Sequence, residues 1–239
     1  MAQFSDRTYL LVGGSSGIGN ASLSALVGAG ATVHVWGRNE PQGLSGPVSF
    51  SEVDVTRDIG EQSPSIPEKL DGVLYSPGSI NLGAFRQLKA QTYQDDFNLN
   101  VVGAVRVLQA VQQQLAADDG GSVVFFSTVA ARIGMQFHAS VASVKAALHG
   151  LAMSLAAEYA SKGVRFNVVA PSLTDTPLAS RLLGNEKKRE ASAQRHPLGR
   201  VGEPGDIARA ALFLLDPENS WITGQIIGVD GGLSGISGL

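Results

Sequence analysis

The stretch Gly13-Gly14-Ser15-Ser16-Gly17-Ile18-Gly19 constrains this chain more than any other. It lies between an apolar run, Tyr9 to Val12, and a helix-like run from Ala21 to Ala29. A strand that feeds a glycine-rich turn and then a helix is how an α/β protein holds a nucleotide diphosphate. Gly13 is free to take backbone angles closed to other residues, and Gly17 has no side chain to hold a pyrophosphate away. Gly19 lets the helix pack close to the strand, and the unpaired N–H groups of the helix start face the phosphates. Surface turns are glycine-rich too, so the flanking strand and helix carry the argument.

The rest of the chain continues the same pattern. Apolar runs recur at Thr8–Val12, Thr32–Trp36, Val48–Val53, Gly72–Tyr75, Ser122–Ser127, Arg165–Ala170 and Gln225–Val229. Several are apolar at nearly every residue, as strands covered on both faces must be. Helical periodicity occupies Gly17–Ala29, Thr92–Ala117, Ser140–Ser161 and Pro204–Leu215, the last opening on a proline that suits a first turn. The expected fold is α/β: one doubly wound parallel sheet of about seven strands, with helices on both faces. No repeat, low-complexity tract or linker divides the chain, so residues 1–239 read as a single domain. Two crossovers are short of room for a helix. Gly37–Pro47 and Thr56–Asp71 are broken by prolines, Pro64 and Pro67 among them, and turns should cover the sheet there.

Composition narrows the function by exclusion. A formal net charge of −3 gives no electrostatic basis for holding nucleic acid or an anionic membrane. The absence of cysteine removes disulfides, thiol catalysis and thiolate metal sites, and the four histidines form no ligand cluster, so no metal is expected. No apolar run reaches the length needed to span a bilayer, and Met1 to Asp6 lack the basic-then-apolar pattern of a signal peptide. The expected compartment is the cytoplasm.

The turn spacing Gly-x3-Gly-x-Gly resembles that of the short-chain dehydrogenase/reductase family, and the resemblance runs along nearly the whole chain. Asp54 follows the third strand, Asn100 stands in Asn-Val-Val-Gly on the long fourth helix, and Pro171-Ser-Leu-Thr-Asp-Thr176 looks like the loop that meets a nicotinamide. Val229-Asp-Gly-Gly232 is similar to the C-terminal signature. The resemblance implies a Rossmann-type NAD(P)-binding domain. It places Gly13, Ser15, Ser16, Gly17, Ile18, Gly19, Arg38, Asp54, Val55, Lys145, Pro171, Leu173 and Thr176 on the cofactor. Arg38 selects which cofactor. It lies about 20 residues past the last glycine, where such folds meet the adenosine ribose. An acidic residue there would accept from the ribose 2′-hydroxyl, whereas a guanidinium fork beside Gly37 clamps a 2′-phosphate. NADP(H) is therefore expected, with a solvated loop arginine as the plainer alternative. Asp54 has a plainer reading as well, as a turn or cap residue.

The active-site segment departs from the family. Tyr-x-x-x-Lys is the family's pattern, its lysine lowering the tyrosine pKa and holding the nicotinamide ribose while the tyrosine exchanges a proton with the substrate. Here Val141-Ala-Ser-Val-Lys145 keeps the lysine and puts valine at the tyrosine position. Thirteen residues before Val141, where the family has a substrate-binding serine, stands Thr128, with Ser127 adjacent. Valine exchanges no proton, so a substitute is needed. His138, three residues earlier, is a residue type that titrates near neutrality, and it shares a face with Val141 if the helix already includes it. Otherwise it sits in a loop and touches solvent or a partner subunit. Tyr75 is a weaker candidate and reads better as a packed aromatic, Tyr159 reads as structural, and a water relayed through Lys145 and Asn100 needs no new side chain.

The resemblance thus implies an NADP(H)-dependent oxidoreductase acting on a small-molecule carbonyl or alcohol, with Asn100, Thr128, Lys145 and His138 at the reacting centre. The competing reading is a catalytically impaired NADP(H)-binding sensor or interaction protein, and Val141 is its support. A lid-like substrate segment is expected at about 175–200. Its basic run of Lys187, Lys188, Arg189 and Arg195 reads as a solvated helix face and implies no anionic substrate. The apolar faces of Thr92–Ala117 and Ser140–Ser161 resemble those through which the family forms homodimers or homotetramers.

Overall fold

The computed structural model describes residues 4–43, 45–117 and 120–236. All seven apolar runs are strands: β1 Thr8–Val12, β2 Thr32–Gly37, β3 Val48–Glu52, β4 Gly72–Tyr75, β5 Ser122–Phe126, β6 Arg165–Pro171 and β7 Ile226–Val229. They pair in parallel in the order β3-β2-β1-β4-β5-β6-β7. The central strands β4, β5 and β6 are buried at every residue, whereas the edge strands β3 and β7 contain no buried residue. Helices cover both faces of the centre, so side chains of either parity are withdrawn from water.

Each face of the sheet has its own core. On one side α1 (Gly17–Gly28) and α6 (Pro204–Leu215) bury Leu23, Leu26, Ile207 and Leu214 against Leu11, Val33, Val35 and Val124. On the other, α2 (Ala90–Phe97), α3 (Gly103–Leu115) and α4 (Ala139–Tyr159) bury Val107, Val111, Val144 and Leu148 against Leu10, Val12, Val73 and Val168. Among the described residues the two short crossovers form no α-helix, and between β3 and β4 there is a single 3-10 turn, Gly60–Gln62. That loop still shields the sheet: Trp36 is buried beneath it and its Nε1–H donates to the Ser65 carbonyl at 3.3 Å. Strand order reverses between β1 and β4, which opens a crevice beyond their C-terminal ends.

Two expectations need correction. The run Thr92–Ala117 is not one regular helix: α2 and α3 are joined by a π-helical segment, Asn98–Val102. The cause lies in β4. The Tyr75 hydroxyl donates to the Leu99 carbonyl at 2.6 Å, an acceptor that a regular helix would offer to the N–H of Gly103. At Gly103 a Cβ would sit 2.5 Å from the same hydroxyl, so only glycine admits it.

The second correction concerns α4. With the 3-10 turn that follows, it forms a helical run Ala139–Lys162 of 24 residues and hydropathy 1.3, long and apolar enough by length and composition to cross a membrane. Ser143, Lys145, His149 and Ser154 interrupt its apolar residues, while its alanines keep the average high. In the fold it is a core helix, laying Val144, Leu148, Ala152 and Ala156 in the core beneath β5 and β6.

Candidate active site

The crevice is a cavity of about 730 Å³ that runs from Arg38, past the glycine turn, to Lys145. Gly13 and Gly17 bend the chain at its floor with φ of +84° and +54°, a region that side-chain-bearing residues rarely enter. The Gly13 N–H donates to the Trp36 carbonyl at 2.8 Å, which pins the turn to β2. Gly19 does not line the cavity. A Cβ there would lie 2.0 Å from the Gly13 carbonyl oxygen, so its part is to let α1 sit against the turn. Ser15, Ser16, Gly17 and Ile18 do line it. Ser16 precedes α1 in an extended conformation and its hydroxyl makes no capping bond; the first turn holds no acid. The positive end of the helix therefore remains uncompensated by side chains.

Arg38, Asp54 and Val55 form one end of the cavity. Asp54 is both a turn residue and a wall residue. Its Oδ1 accepts from the Thr56 N–H at 2.9 Å and the Thr56 hydroxyl at 2.7 Å, and its own N–H donates to Gln62 Oε1 at 2.7 Å. Burial pushes its pKa up, but the bonds from Thr56, with Arg38 and Arg57 nearby, outweigh burial and hold the carboxyl below the ordinary aspartate value. Arg38 is exposed at the rim. Val55 is buried, and its carbonyl accepts from Arg106 at 3.2 Å.

The other end gathers Thr128, His138, Val141 and Lys145, with Pro171, Leu173 and Thr176 on the loop after β6. Val141 and Lys145 stand one turn apart on α4 and face the same space. The Lys145 ammonium is buried and donates to the Phe126 carbonyl at 2.8 Å. Burial pushes its pKa down to about 8, with the charge of Asp96 pulling the other way. The Thr128 hydroxyl accepts from the Ala130 N–H at 3.3 Å. Ser127 gives its proton to the Lys145 carbonyl at 3.2 Å, so at 2.7 Å His149 Nε2–H must donate to Ser127. Burial, with Arg132 nearby, lowers the His149 pKa and favours that neutral ring.

His138 lies in the cavity wall as the N-cap of α4. Its Nδ1 lies 2.6 Å from the Gln136 carbonyl. A carbonyl only accepts, so Nδ1 carries the hydrogen and Nε2 is the nitrogen left to exchange one. Asn100 stands behind the wall in the π-helical segment. Its Nδ2 donates to the Asp96 carbonyl at 2.8 Å and to Ser79 Oγ at 3.4 Å, while its buried Oδ1 has no partner among the described residues. A Cβ at Gly78 would be 3.3 Å from Lys145 Nζ and 3.6 Å from Asn100 Oδ1, so both groups converge on that glycine. Tyr75 and Tyr159 serve the fold. Tyr75 holds Leu99 as described, and Tyr159 bonds Gln112 at 3.2 Å and packs edge-on to Phe166.

Sequence reasoning missed the group that ties this end together. Asp96 is buried, and its Oδ1 accepts from Ser79 at 2.5 Å and Asn81 at 2.7 Å. Its Oδ2 accepts from Ser140 at 2.5 Å, the residue immediately before Val141. The one signal in the chain was its place a helical turn before Asn100.

A family model described as enoyl-(acyl carrier protein) reductase matches residues 12–234. The solved structure of a short-chain type dehydrogenase/reductase from Mycobacterium ulcerans is similar over 97% of this chain and 90% of its own, with 31% identity and a TM-score of 0.86. The chain belongs to the short-chain dehydrogenase/reductase family. A tropinone reductase homolog of Arabidopsis thaliana is 38% identical across 95% of this chain and 79% of its own length. The 3-oxoacyl-[acyl-carrier-protein] reductase FabG of Thermotoga maritima is 32% identical across 95% and 97%. Short-chain dehydrogenases/reductases are oxidoreductases that act on small molecules with NAD(H) or NADP(H).

Proposed function

We propose that this short-chain dehydrogenase/reductase is specific for NADP(H) and interconverts a carbonyl compound and its alcohol. The observation that carries the reading is the continuity of the cavity: one space joins Arg38 to the glycine turn and the turn to Lys145. Its volume of about 730 Å³ falls within the roughly 300–1,000 Å³ of small-molecule sites. The residues present fit a dinucleotide. The uncapped start of α1, with Ser15, Ser16 and Ile18, takes the pyrophosphate, and the exposed Arg38 takes the 2′-phosphate. Asp54 and Val55 would lie on the adenosine side, Lys145 would hold the nicotinamide ribose, and Pro171, Leu173 and Thr176 would contact the nicotinamide. When bound, the cofactor supplies or accepts the hydride.

The chain's own residues must manage the proton. Thr128 offers a hydroxyl to the substrate oxygen. His138 exchanges the proton at Nε2, because Nδ1–H is held by Gln136. Lys145 remains cationic up to about pH 8 and Asn100 stands behind it, so the charge developing on the oxygen meets fixed positive charge. The segment at about 175–200 closes over the substrate, and the exposed Phe97 and Met153 on α2 and α4 support pairing into homodimers or homotetramers.

Titration with NADPH and NADH, followed by turnover on a panel of ketones and aldehydes, tests the reading. The expected result is tighter NADPH binding, reversal of that preference in Arg38→Glu, and turnover that falls at least tenfold in His138→Ala. Tight NADPH binding with no turnover of any carbonyl, unchanged in His138→Ala, would overturn the enzyme reading in favour of a sensor. Carbonyl reduction appearing only in Val141→Tyr would show a competent scaffold disarmed at one position.

A further inference from the structure

The basic run before His196 does not behave as one solvated face. α5 (Glu186–Ala193) and the turn after it present Lys188, Ala191, Ser192 and Arg195 to the cavity, spaced i, i+3, i+4 and i+7 along one side. Lys187 and Arg189 lie off that side, and Arg189 is neutralised by Asp175 at 2.7 Å. Lys188 and Arg195 are not neutralised. Among the described residues neither has an ion-pair partner, and the Lys188 ammonium has only a long 3.4 Å bond to the Arg181 carbonyl. Among the described residues the one carboxylate in the cavity wall is Asp54, which has Arg38 nearby. The same cavity is also lined by the apolar side chains of Ile80, Leu82, Met135, Leu178 and Leu182.

We propose that Lys188 and Arg195 form an anion subsite, and that the substrate is a carbonyl compound or alcohol whose apolar body ends in a carboxylate or phosphate. The inference rests on the active-site reading above and adds the far end of the substrate to it. An apolar stretch alone would accept any hydrocarbon. Two cations on the same cavity wall, neither of them in an ion pair, favour one that carries a negative terminus, because each charge-assisted hydrogen bond is about twice as strong as a neutral one. Both cations are exposed at the mouth, so salt will weaken the preference.

The test uses ligands that share a body and differ in the terminal group: octanoate, octyl phosphate and octanamide, titrated calorimetrically into the protein with saturating NADPH. Octanoate or octyl phosphate should bind about tenfold tighter than octanamide, and the tighter of the two identifies the terminal group. Lys188→Ala and Arg195→Ala together should bring all three to the affinity of octanamide and leave NADPH affinity unchanged. Equal binding of the three by the natural protein, or an anion preference that survives the double substitution, would overturn the proposal. So would a parallel loss of NADPH affinity, since the cations would then serve the cofactor. A natural protein that binds no NADPH refutes the oxidoreductase reading, and the same titrations without cofactor still decide the subsite. With an active preparation, levulinate should be reduced with a lower KM than methyl levulinate.

Discussion

Lys145 is costly to fold around, and replacing it with methionine should stabilise the protein at neutral pH. Its ammonium is buried, and its pKa falls from 10.5 to about 8. At about 1.4 kcal/mol per pKa unit, holding it charged in the folded state costs about 3 kcal/mol below pH 8. Methionine fills the space of the lysine stem without the charge. It also removes the donor to the Phe126 carbonyl, which returns about 1–2 kcal/mol of that cost. Lys145→Met should therefore be about 1–2 kcal/mol more stable near pH 7. The sign follows from proton counting. Below about 8 both states of the natural protein are protonated and the cost is fully present. Between about 8 and 10.5 the folded state releases the proton that the unfolded state keeps, so stability rises with pH. Above that window both are neutral and the methionine variant loses its advantage. Urea denaturation of both proteins from pH 7 upward measures this, and the difference between them cancels the tyrosines. Two parallel stability curves, or a variant less stable at pH 7, would refute the reasoning. Residues kept at the expense of stability belong to function.

Gly19→Ala would place a Cβ 2.0 Å from a backbone oxygen, so the turn must shift; NADPH affinity should fall more than tenfold, with about 3 kcal/mol of stability lost in denaturant melts. Asp96→Ala strands the donors of Ser79, Asn81 and Ser140 and should cost at least about 3 kcal/mol, against about 1 for Ser140→Ala; equal losses would show that the carboxylate is not the hub. Tyr75→Phe frees the Leu99 carbonyl for the Gly103 N–H and should slow amide hydrogen exchange at Gly103 while the rest of the sheet keeps its protection; unchanged exchange at Gly103 would rule out the hydroxyl as the cause of the π-helical segment.

The strands were legible because burial on both faces leaves its mark on consecutive residues, and their ends fell within one residue of those expected. The glycine turn was legible for a different reason. Positive φ at Gly13 and Gly17 is a local backbone demand that few residues meet. Val141 and Lys145 were legible as a pair because four residues along a helix return to one face. These features are written in neighbouring residues, so the sequence by itself determined the sheet, the glycine-rich turn beside the crevice and the pairing of Val141 with Lys145 on one helix face.

Tertiary structure decided the rest. The break in the long helix is made by a tyrosine from β4, 24 residues away from the carbonyl it takes. The Asp96 cluster joins residues 79, 81, 96 and 140, which no local pattern links. A helix face can be counted from spacing, but which way α5 turns depends on what it packs against, and that alone puts the exposed Lys188 and Arg195, and not Lys187, in the cavity wall. Polar side chains act over a few ångströms in space, at positions that packing sets and sequence distance does not.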